Sequence, residues 1–437
     1  MAKTNLFWFR RDLRLHDNAG LFQALQSEFP VVPVFIFDTD ILQELENKKD
    51  PRVSFIYSAL QKVQGQLLEI GSTLDIRIGK PLQIWEQLIE AYDIHTVYTN
   101  HDYEPYAGER DRAIDKMLQA RGVELRTFKD QVIFEKNEIV KDDGTHYSIY
   151  TPYAKKWRNA LTPARIKPYP SLEIKDHFYK QPPKLFPTLQ EVGFESPDIF
   201  PEPINDQVIQ TYDRTRDIPS INGTTRFGVH LRFGTVSIRE LLARALKNNQ
   251  TFLGELIWRE FFMQMLWKQP RLQQESCKQA YDRIRWRNKE SEFLQWCRGE
   301  TGYPIIDAGM RELNATGFMH NRVRMITASF LVKNLLIDWR WGEAYFAEKL
   351  LDYELASNNG NWQWVAGCGC DAAPYFRVFN PETQARRFDP EKRYIKKWVP
   401  EWDSPKYTRP IVDLDRSRER CLKVYKEALL TDKQALG

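Results

Sequence analysis

The chain has 437 residues, a net charge of +4, 42% hydrophobic residues and 28% charged residues. This length exceeds what one hydrophobic core usually serves and the composition is that of a globular protein, so we expect two domains. No apolar stretch approaches the length of a membrane span and no signal peptide opens the chain, so we expect a cytoplasmic protein that makes no membrane contact.

The first part of the chain alternates strand-like apolar runs with amphipathic helical segments. We predict five strands, at residues 5–9, 31–37, 74–78, 96–99 and 125–128, with helices between them, for example at 53–70 and 81–91. Strands separated by helices predict a doubly wound parallel sheet. The turn after the first strand lacks the Gly-x-Gly-x-x-Gly pattern, which argues against a standard dinucleotide site on this sheet.

Nine prolines crowd residues 163–203 and predict a long, non-helical connection over the surface. Beyond it, helical periodicity dominates, as in residues 254–269, 301–316, 320–336 and 341–351. We therefore expect an α/β domain over 1–130, a connector over 131–204 and an all-helical domain over 205–437.

The five cysteines are odd in number and scattered along the chain. This usage predicts reduced thiols. Only Cys368 and Cys370 lie close together, and no second Cys or His pair stands at zinc-finger spacing. We therefore expect no metal site.

Two helical segments of the C-terminal part carry polar residues at one-turn spacing. Glu255 and Trp258 share a helix face, and Arg259 lies one turn from Glu255; by spacing alone, an ordinary Glu–Arg surface pair is the favoured interpretation. Asn321 and Met325 also share a face.

An ion pair is predicted between two later segments. Arg324 can pair with Asp352, either at a ligand or as a plain contact between helices.

The most informative segment contains two tryptophans, Trp362 and Trp364, directly after a polar stretch that includes Gly360. We interpret residues 358–361 as a bend and residues 371–374, Asp-Ala-Ala-Pro, as a turn. So much aromatic surface at a bend predicts a flat ligand that stacks on it. Upstream, residues 223–226 predict a phosphate contact or a simple helix cap.

These segments, with residues 7–14 and 301–308, resemble the photolyase/cryptochrome family over nearly the whole chain, most closely its class I cyclobutane pyrimidine dimer photolyases. The resemblance implies an α/β plus all-α fold, with a Rossmann-like antenna domain and a helical FAD-binding domain. It implies a blue-light-dependent lyase acting as a monomer on UV-damaged double-stranded DNA. FAD, active as FADH−, would lend an electron to a flipped-out dimer and regain it.

The resemblance also implies roles for individual residues. Glu255 and Asn321 would hydrogen-bond the damaged bases, while Trp258, Met325 and Trp364 would shape the pocket. Arg216 and Arg377 would hold DNA phosphates, together with contacts from Trp258, Asn321 and Trp364. The implied electron relay is Trp362, Trp339 and Trp286. The implied FAD contacts are Tyr212, Thr224, Thr225, Arg226, Glu255, Arg259, Arg324, Asp352, Glu354 and Asn358, the last facing flavin N5.

Four alternatives remain at this stage. A signalling cryptochrome is disfavoured by Asn358 and by the absence of a long C-terminal tail, and repair of (6-4) photoproducts by the lack of a histidine pair around Asn321 and Met325. A non-photochemical flavoprotein would not explain the pocket residues, and a single-strand-specific cryptochrome is disfavoured by the turn at 371–374.

Residues 103–111 have two interpretations. They are either the binding site of a second chromophore (a folate, a deazaflavin or a flavin) or an empty structural loop.

Overall fold

The computed structural model describes residues 2–435, with side chains described through residue 430, and divides them into two compact units. The first unit comprises residues 2–138, 159–202 and 227–247, and the second comprises 139–158, 203–226 and 248–435. The units are therefore interleaved along the chain, and their limits differ from the predicted boundaries at 130 and 204.

The interleaving has a physical cause in the core of the first unit. Phe178, in the proline-rich segment, forms a parallel bridge with Val31 and is buried, as are Val192 and Phe194 in the same core cluster. Most of the predicted surface connector is thus part of this unit. It also contains two short 3-10 helices, Pro163–Ile166 and Ser171–His177.

The first unit is built on five parallel strands in the order β3-β2-β1-β4-β5. This confirms the predicted doubly wound sheet. Helices pack on both faces, since apolar side chains of alternate residues form two separate core clusters. The elements up to the sheet's last strand are β1 (Lys3–Phe9), α1 (Ala19–Leu25), β2 (Val31–Asp38), α2 (Thr39–Leu42), α3 (Pro51–Glu69), β3 (Asp75–Gly79), α4 (Pro81–Ala91), β4 (Asp93–Asn100), α5 (Pro105–Gln119) and β5 (Glu124–Phe128).

The remaining elements are helical, as predicted for the C-terminal part. They are α6 (Tyr150–Ala160), α7 (Tyr212–Thr215), α8 (Gly228–Phe233), α9 (Ile238–Asn248), α10 (Gln250–Lys268), α11 (Glu290–Arg298), α12 (Pro304–Thr316), α13 (Asn321–Ser329), α14 (Trp339–Lys349), α15 (Leu355–Ala366), α16 (Pro381–Phe388), α17 (Arg393–Trp398) and α18 (Leu414–Ala435). α8 and α9 belong to the first unit. Among the helices of residues 2–435, none combines the length and apolar character needed to cross a membrane.

The predicted bend at residues 358–361 is wrong, because these residues lie inside α15. Glu354 caps the helix by accepting the N–H of Ser357 at 3.3 Å. Gly360 does not form a turn; it allows close packing of α15 against α10. A Cβ at this position would come within 2.2 Å of the Phe262 ring. An Asn-Asn-Gly stretch is thus held helical by a cap and by a close helix–helix approach.

Residues 103–111 are also not a plain loop, since α5 begins at Pro105. Their side chains bond to neighbours in the first unit: the Tyr103 hydroxyl donates to Glu135 at 2.6 Å and the Tyr106 hydroxyl to Asp38 at 2.7 Å.

The prediction of reduced cysteines is wrong for one pair. Cys277 and Cys370 form a disulfide across a sequence separation of 93 residues, whereas Cys297, Cys368 and Cys421 are free and buried. Sequence spacing did not indicate this pair, because the two residues meet only through the packing of the second unit.

Candidate active site

The second unit contains a cavity of about 410 Å³ between α10, α13, α14 and α15. It gathers residues from positions 216 to 365, and all five predicted catalytic residues lie on its wall. The lining side chains that the sequence predicted are Arg216, Glu255, Trp258, Arg259, Asn321, Arg324, Met325, Asp352, Glu354, Asn358, Trp362 and Trp364.

Glu255 is the acid that faces this cavity from α10. It accepts a hydrogen bond from Arg216, which comes from the short α7 region rather than from the same helix. Burial raises the pKa of Glu255, and the Arg216 guanidinium offsets this only in part. The site thus holds a carboxyl group whose charge has one cationic partner, a feature typical of functional acids.

The predicted Arg324–Asp352 pair is confirmed. Arg324 Nη2 donates to both carboxylate oxygens of Asp352, at 2.9 and 3.1 Å, and its Nε donates to the backbone oxygen of Met319 at 2.7 Å. Both side chains remain about one quarter exposed, at 24% and 22%. Each therefore keeps hydrogen-bonding capacity for a ligand in the cavity.

Asn358 is held by a residue that sequence reasoning missed. Its amide nitrogen donates to Glu343 Oε1 at 2.8 Å and to the Glu343 backbone oxygen at 3.1 Å. Burial raises the pKa of Glu343 to about 7. Because the amide N–H groups are engaged by Glu343, the Asn358 carbonyl oxygen is the group available to a ligand. No local pattern links the two residues, which lie on different helices.

Aromatic side chains form another part of the wall. Trp258 and Trp364 line the cavity, and Trp258 stacks on Tyr150 of α6 with ring centroids 3.6 Å apart and planes inclined by 5°. Tyr150 was also missed, since the sequence places it more than 100 residues before its partner.

Other predicted site residues lie outside this cavity lining. Tyr212 packs edge-on against Phe252, and Thr224, Thr225 and Arg226 follow it in an irregular segment in which Arg226 has φ = 62°. Arg377 is exposed on the loop after α15.

The three predicted relay tryptophans share one hydrophobic cluster. Trp362 and Trp339 are buried in it, and Trp286 packs against it from a partly exposed position. Trp286 also meets the Tyr425 ring edge-on, with centroids 5.9 Å apart.

Comparison with known proteins decides the family. Residues 5–173 match the model described as DNA photolyase, and residues 252–404 match the FAD binding domain of DNA photolyase. The deoxyribodipyrimidine photo-lyase of Halobacterium salinarum is 37% identical over 97% of this chain and 99% of its own length. The chain belongs to the DNA photolyase family. The deoxyribodipyrimidine photo-lyase of Escherichia coli is 34% identical over the same shares of the two chains.

Solved structures agree with this assignment. A bacterial class III photolyase from Agrobacterium tumefaciens matches with a TM-score of 0.84 and 30% identity over 98% of both chains. An archaeal photolyase from Sulfolobus tokodaii, determined with two FAD molecules, matches with a TM-score of 0.83 and 33% identity over 98% of this chain and 100% of that chain. The predicted family, fold class and FAD cofactor, and the predicted DNA-repair lyase activity, are confirmed.

Proposed function

We propose that the cavity of the second unit is the site at which cyclobutane pyrimidine dimers in UV-damaged double-stranded DNA are split under blue light. The observation that carries this is the joint presence of two sets of groups in the lining of one cavity. Glu255, Asn321 and Trp364 suit a polar base edge and a flat base, while Asn358 and the Arg324–Asp352 pair suit a flavin ring. Bound FADH− supplies the chemistry, an electron lent to the dimer under light and returned after the ring has split.

The polar residues fit a flavin because they offer both donors and acceptors. Arg324 has N–H groups beyond those used by Asp352 and Met319, and the Asp352 oxygens keep lone pairs. Asn358 presents its carbonyl oxygen from a position fixed by Glu343. These residues would hold the polar edge of the isoalloxazine ring, with Glu354 and Arg259 on the same wall.

The rest of the cofactor needs a phosphate site. Tyr212 and the segment Thr224, Thr225 and Arg226 lie in the same unit and bring hydroxyl groups and a cation. We assign the diphosphate to this segment, since hydroxyl and guanidinium donors match phosphate oxygens.

Glu255 and Asn321 would hydrogen-bond the damaged bases, and Trp258, Met325 and Trp364 would contact their faces. Stacking of a base on an aromatic side chain contributes ~1–3 kcal/mol, which offsets part of the cost of extruding the dimer. Arg377 would contact phosphates from its exposed loop, with Arg216 closer to the pocket, so DNA binding should weaken as salt rises.

A monomer is proposed as the working form. A cytoplasmic location is proposed with it. A second chromophore, a folate, a deazaflavin or a flavin, is proposed at the first unit's sheet. Release of the chromophores by heating, followed by chromatography and absorption spectra, would show whether any compound besides FAD is present.

The decisive experiment compares duplexes that carry either a cyclobutane thymine dimer or a (6-4) photoproduct. The reduced protein is incubated with each in the dark and under blue light, beside its Glu255→Ala variant. We expect light-dependent loss of the cyclobutane dimer alone, with a clearly lower yield in the variant at full FAD content. Bound, photoreducible FAD with no repair of either lesion would instead favour a cryptochrome-type photoreceptor, the class of one structural neighbour, from Synechocystis.

A further inference from the structure

Trp258 lines the cavity, and its indole stacks on a second aromatic ring. Tyr150 lies parallel to it, with ring centroids 3.6 Å apart and planes inclined by 5°. Trp258 is part of the cavity lining and Tyr150 is not, so the Tyr150 ring contacts the indole from outside that lining. The orientation of Trp258 therefore depends on a residue from α6, far away in sequence.

Tyr150 is itself fixed at two points. Its hydroxyl donates to the backbone oxygen of Gly254 at 2.9 Å, and its backbone N–H donates to Asp371 Oδ2 at 3.2 Å. The first bond ties the ring to α10, one turn before Trp258. The second ties α6 to the turn that follows α15.

The helix that carries Tyr150 is anchored firmly to α10. Trp157 Nε1 donates to Glu260 Oε2 at 2.6 Å, and the rings of Tyr153 and Phe261 lie 5.2 Å apart. These buried contacts hold α6 in place without Tyr150, whose ring is only partly buried. Loss of the Tyr150 ring should therefore leave the helix docked.

We propose that Tyr150 is a positioning residue for the damaged base: it holds the Trp258 indole in the plane on which the lesion stacks, and it couples that plane to the turn at Asp371. This inference rests on the proposed function. Stacked aromatic pairs are favourable beyond simple burial by about 0.5–1.5 kcal/mol, so an unsupported indole loses part of its preorganisation. Undamaged duplex, which keeps its bases stacked inside, does not depend on this plane.

The test measures the affinity of the FAD-containing protein for a dimer-containing duplex and for the same duplex without damage. Tyr150→Leu keeps apolar volume but removes the ring stack, while Tyr150→Phe keeps the stack and removes only the hydroxyl. We expect Tyr150→Leu to bind the damaged duplex about 2- to 10-fold more weakly, as the energy of one aromatic pair implies. Its affinity for undamaged duplex should be unchanged, and Tyr150→Phe should stay close to wild type.

Two further measurements test whether the effect of Tyr150→Leu is limited to binding of the lesion. Photoreduction of oxidised flavin and the repair yield of lesions already bound should be unchanged in Tyr150→Leu, because Tyr150 touches neither the relay tryptophans nor Asn358. The intrinsic tryptophan emission of the variant should shift, since Trp258 loses its stacked neighbour.

Four outcomes would overturn the inference. Equal affinity of Tyr150→Leu and wild type for damaged duplex would remove the positioning role. Tighter binding would mean that Tyr150 occupies the face needed by the lesion. Parallel loss for both duplexes, or loss of FAD, would assign Tyr150 to general folding. If wild type itself failed to prefer damaged duplex, the proposed function would fail instead.

Discussion

Asp130 in the first unit is a fully buried carboxyl group, and Glu343 in the second is a partly buried one; their surroundings also differ. Asp130 accepts from Arg14 at 2.6 Å, from Arg239 at 2.7 Å and from the N–H of Ala19 at 3.1 Å. Burial raises the pKa of Asp130, but the two arginines outweigh it and lower the pKa to about 2. Glu343 has one amide partner, Asn358, and burial raises its pKa to about 7.

The number of charged partners distinguishes a carboxylate with a structural role from a carboxyl group at a ligand-binding site. In the first unit, Asp17 and Asp130 share Arg239, and all three side chains are at most 4% exposed. Such saturated networks bind chain segments together and leave no group for a substrate. Around the cavity, Glu255 and Glu343 are partly buried and have raised pKa values with few partners, which is the arrangement expected where a cofactor or substrate adds further contacts.

The largest effect should follow from removal of Arg239. Arg239→Met leaves Asp17 and Asp130 buried with incomplete compensation, and we expect a loss of about 3–5 kcal/mol in the free energy of unfolding. Denaturant unfolding measures it. The control on the same helix is Arg244→Ala, which breaks an exposed pair with Glu240 and should cost under about 1 kcal/mol. Similar small losses in both variants would contradict the structural role assigned to the buried network.

A second test concerns the contribution of the disulfide to the stability of the second unit. It closes a loop of 93 residues between Cys277 and Cys370, and its loss should cost about 2–5 kcal/mol because the unfolded chain gains freedom. We expect the Cys277→Ser/Cys370→Ser variant to melt at a lower temperature than wild type. A reductant should lower the melting temperature of wild type and not that of the variant. Equal sensitivity of both proteins would show that the bond does not form.

A third test uses pH to examine Glu343. Because its folded pKa is raised above the unfolded value, the folded state holds a proton that the unfolded state has lost between about pH 4.5 and 7. Its contribution to stability should therefore fall as pH rises through this window, by no more than about 3 kcal/mol.

The Glu343→Gln variant should lose this part of the pH dependence, as followed by denaturant unfolding at a series of pH values. Glu348→Gln, an exposed position on the same helix paired with Lys349, is the matched control and should behave as wild type. An unchanged slope in Glu343→Gln would show that Glu343 ionises normally.

The smallest effect on repair is expected at the edge of the tryptophan cluster. If Trp286 is the outer member of the proposed relay, Trp286→Phe should slow the photoreduction of oxidised flavin but leave repair by reduced protein unchanged, because the relay would act only in reducing the flavin. Transient absorption follows the first quantity and dimer loss the second. Phe293→Leu, at another partly buried position of the same cluster, controls for packing. Unchanged photoreduction in Trp286→Phe would remove it from the relay.

Local patterns in the sequence were sufficient for the sheet and for most of the long helices, whereas most residues of the cavity wall were predicted from the family resemblance. The strand and helix periods depend on neighbouring residues, so β1 to β5, α10, α12 and α14 could be predicted within a few positions. The helix predicted over 320–336 is α-helical only from Asn321 to Ser329, and α11 was not predicted. The Arg324–Asp352 pair was also predicted, although the two residues lie 28 positions apart. Residues 358–361 were misjudged because an Asn-Asn-Gly stretch prefers turns unless a cap and a packed neighbour hold it helical.

Only the tertiary structure decided which distant residues meet. It joined Cys277 to Cys370, brought Glu343 to Asn358 and Tyr150 to Trp258, and paired Arg216 with Glu255. It also interleaved the two units, because segments from both sides of α6 complete the core of the first. Periodicity carries no information about such contacts: they depend on how whole elements pack, where burial and charge compensation act between residues far apart in the chain.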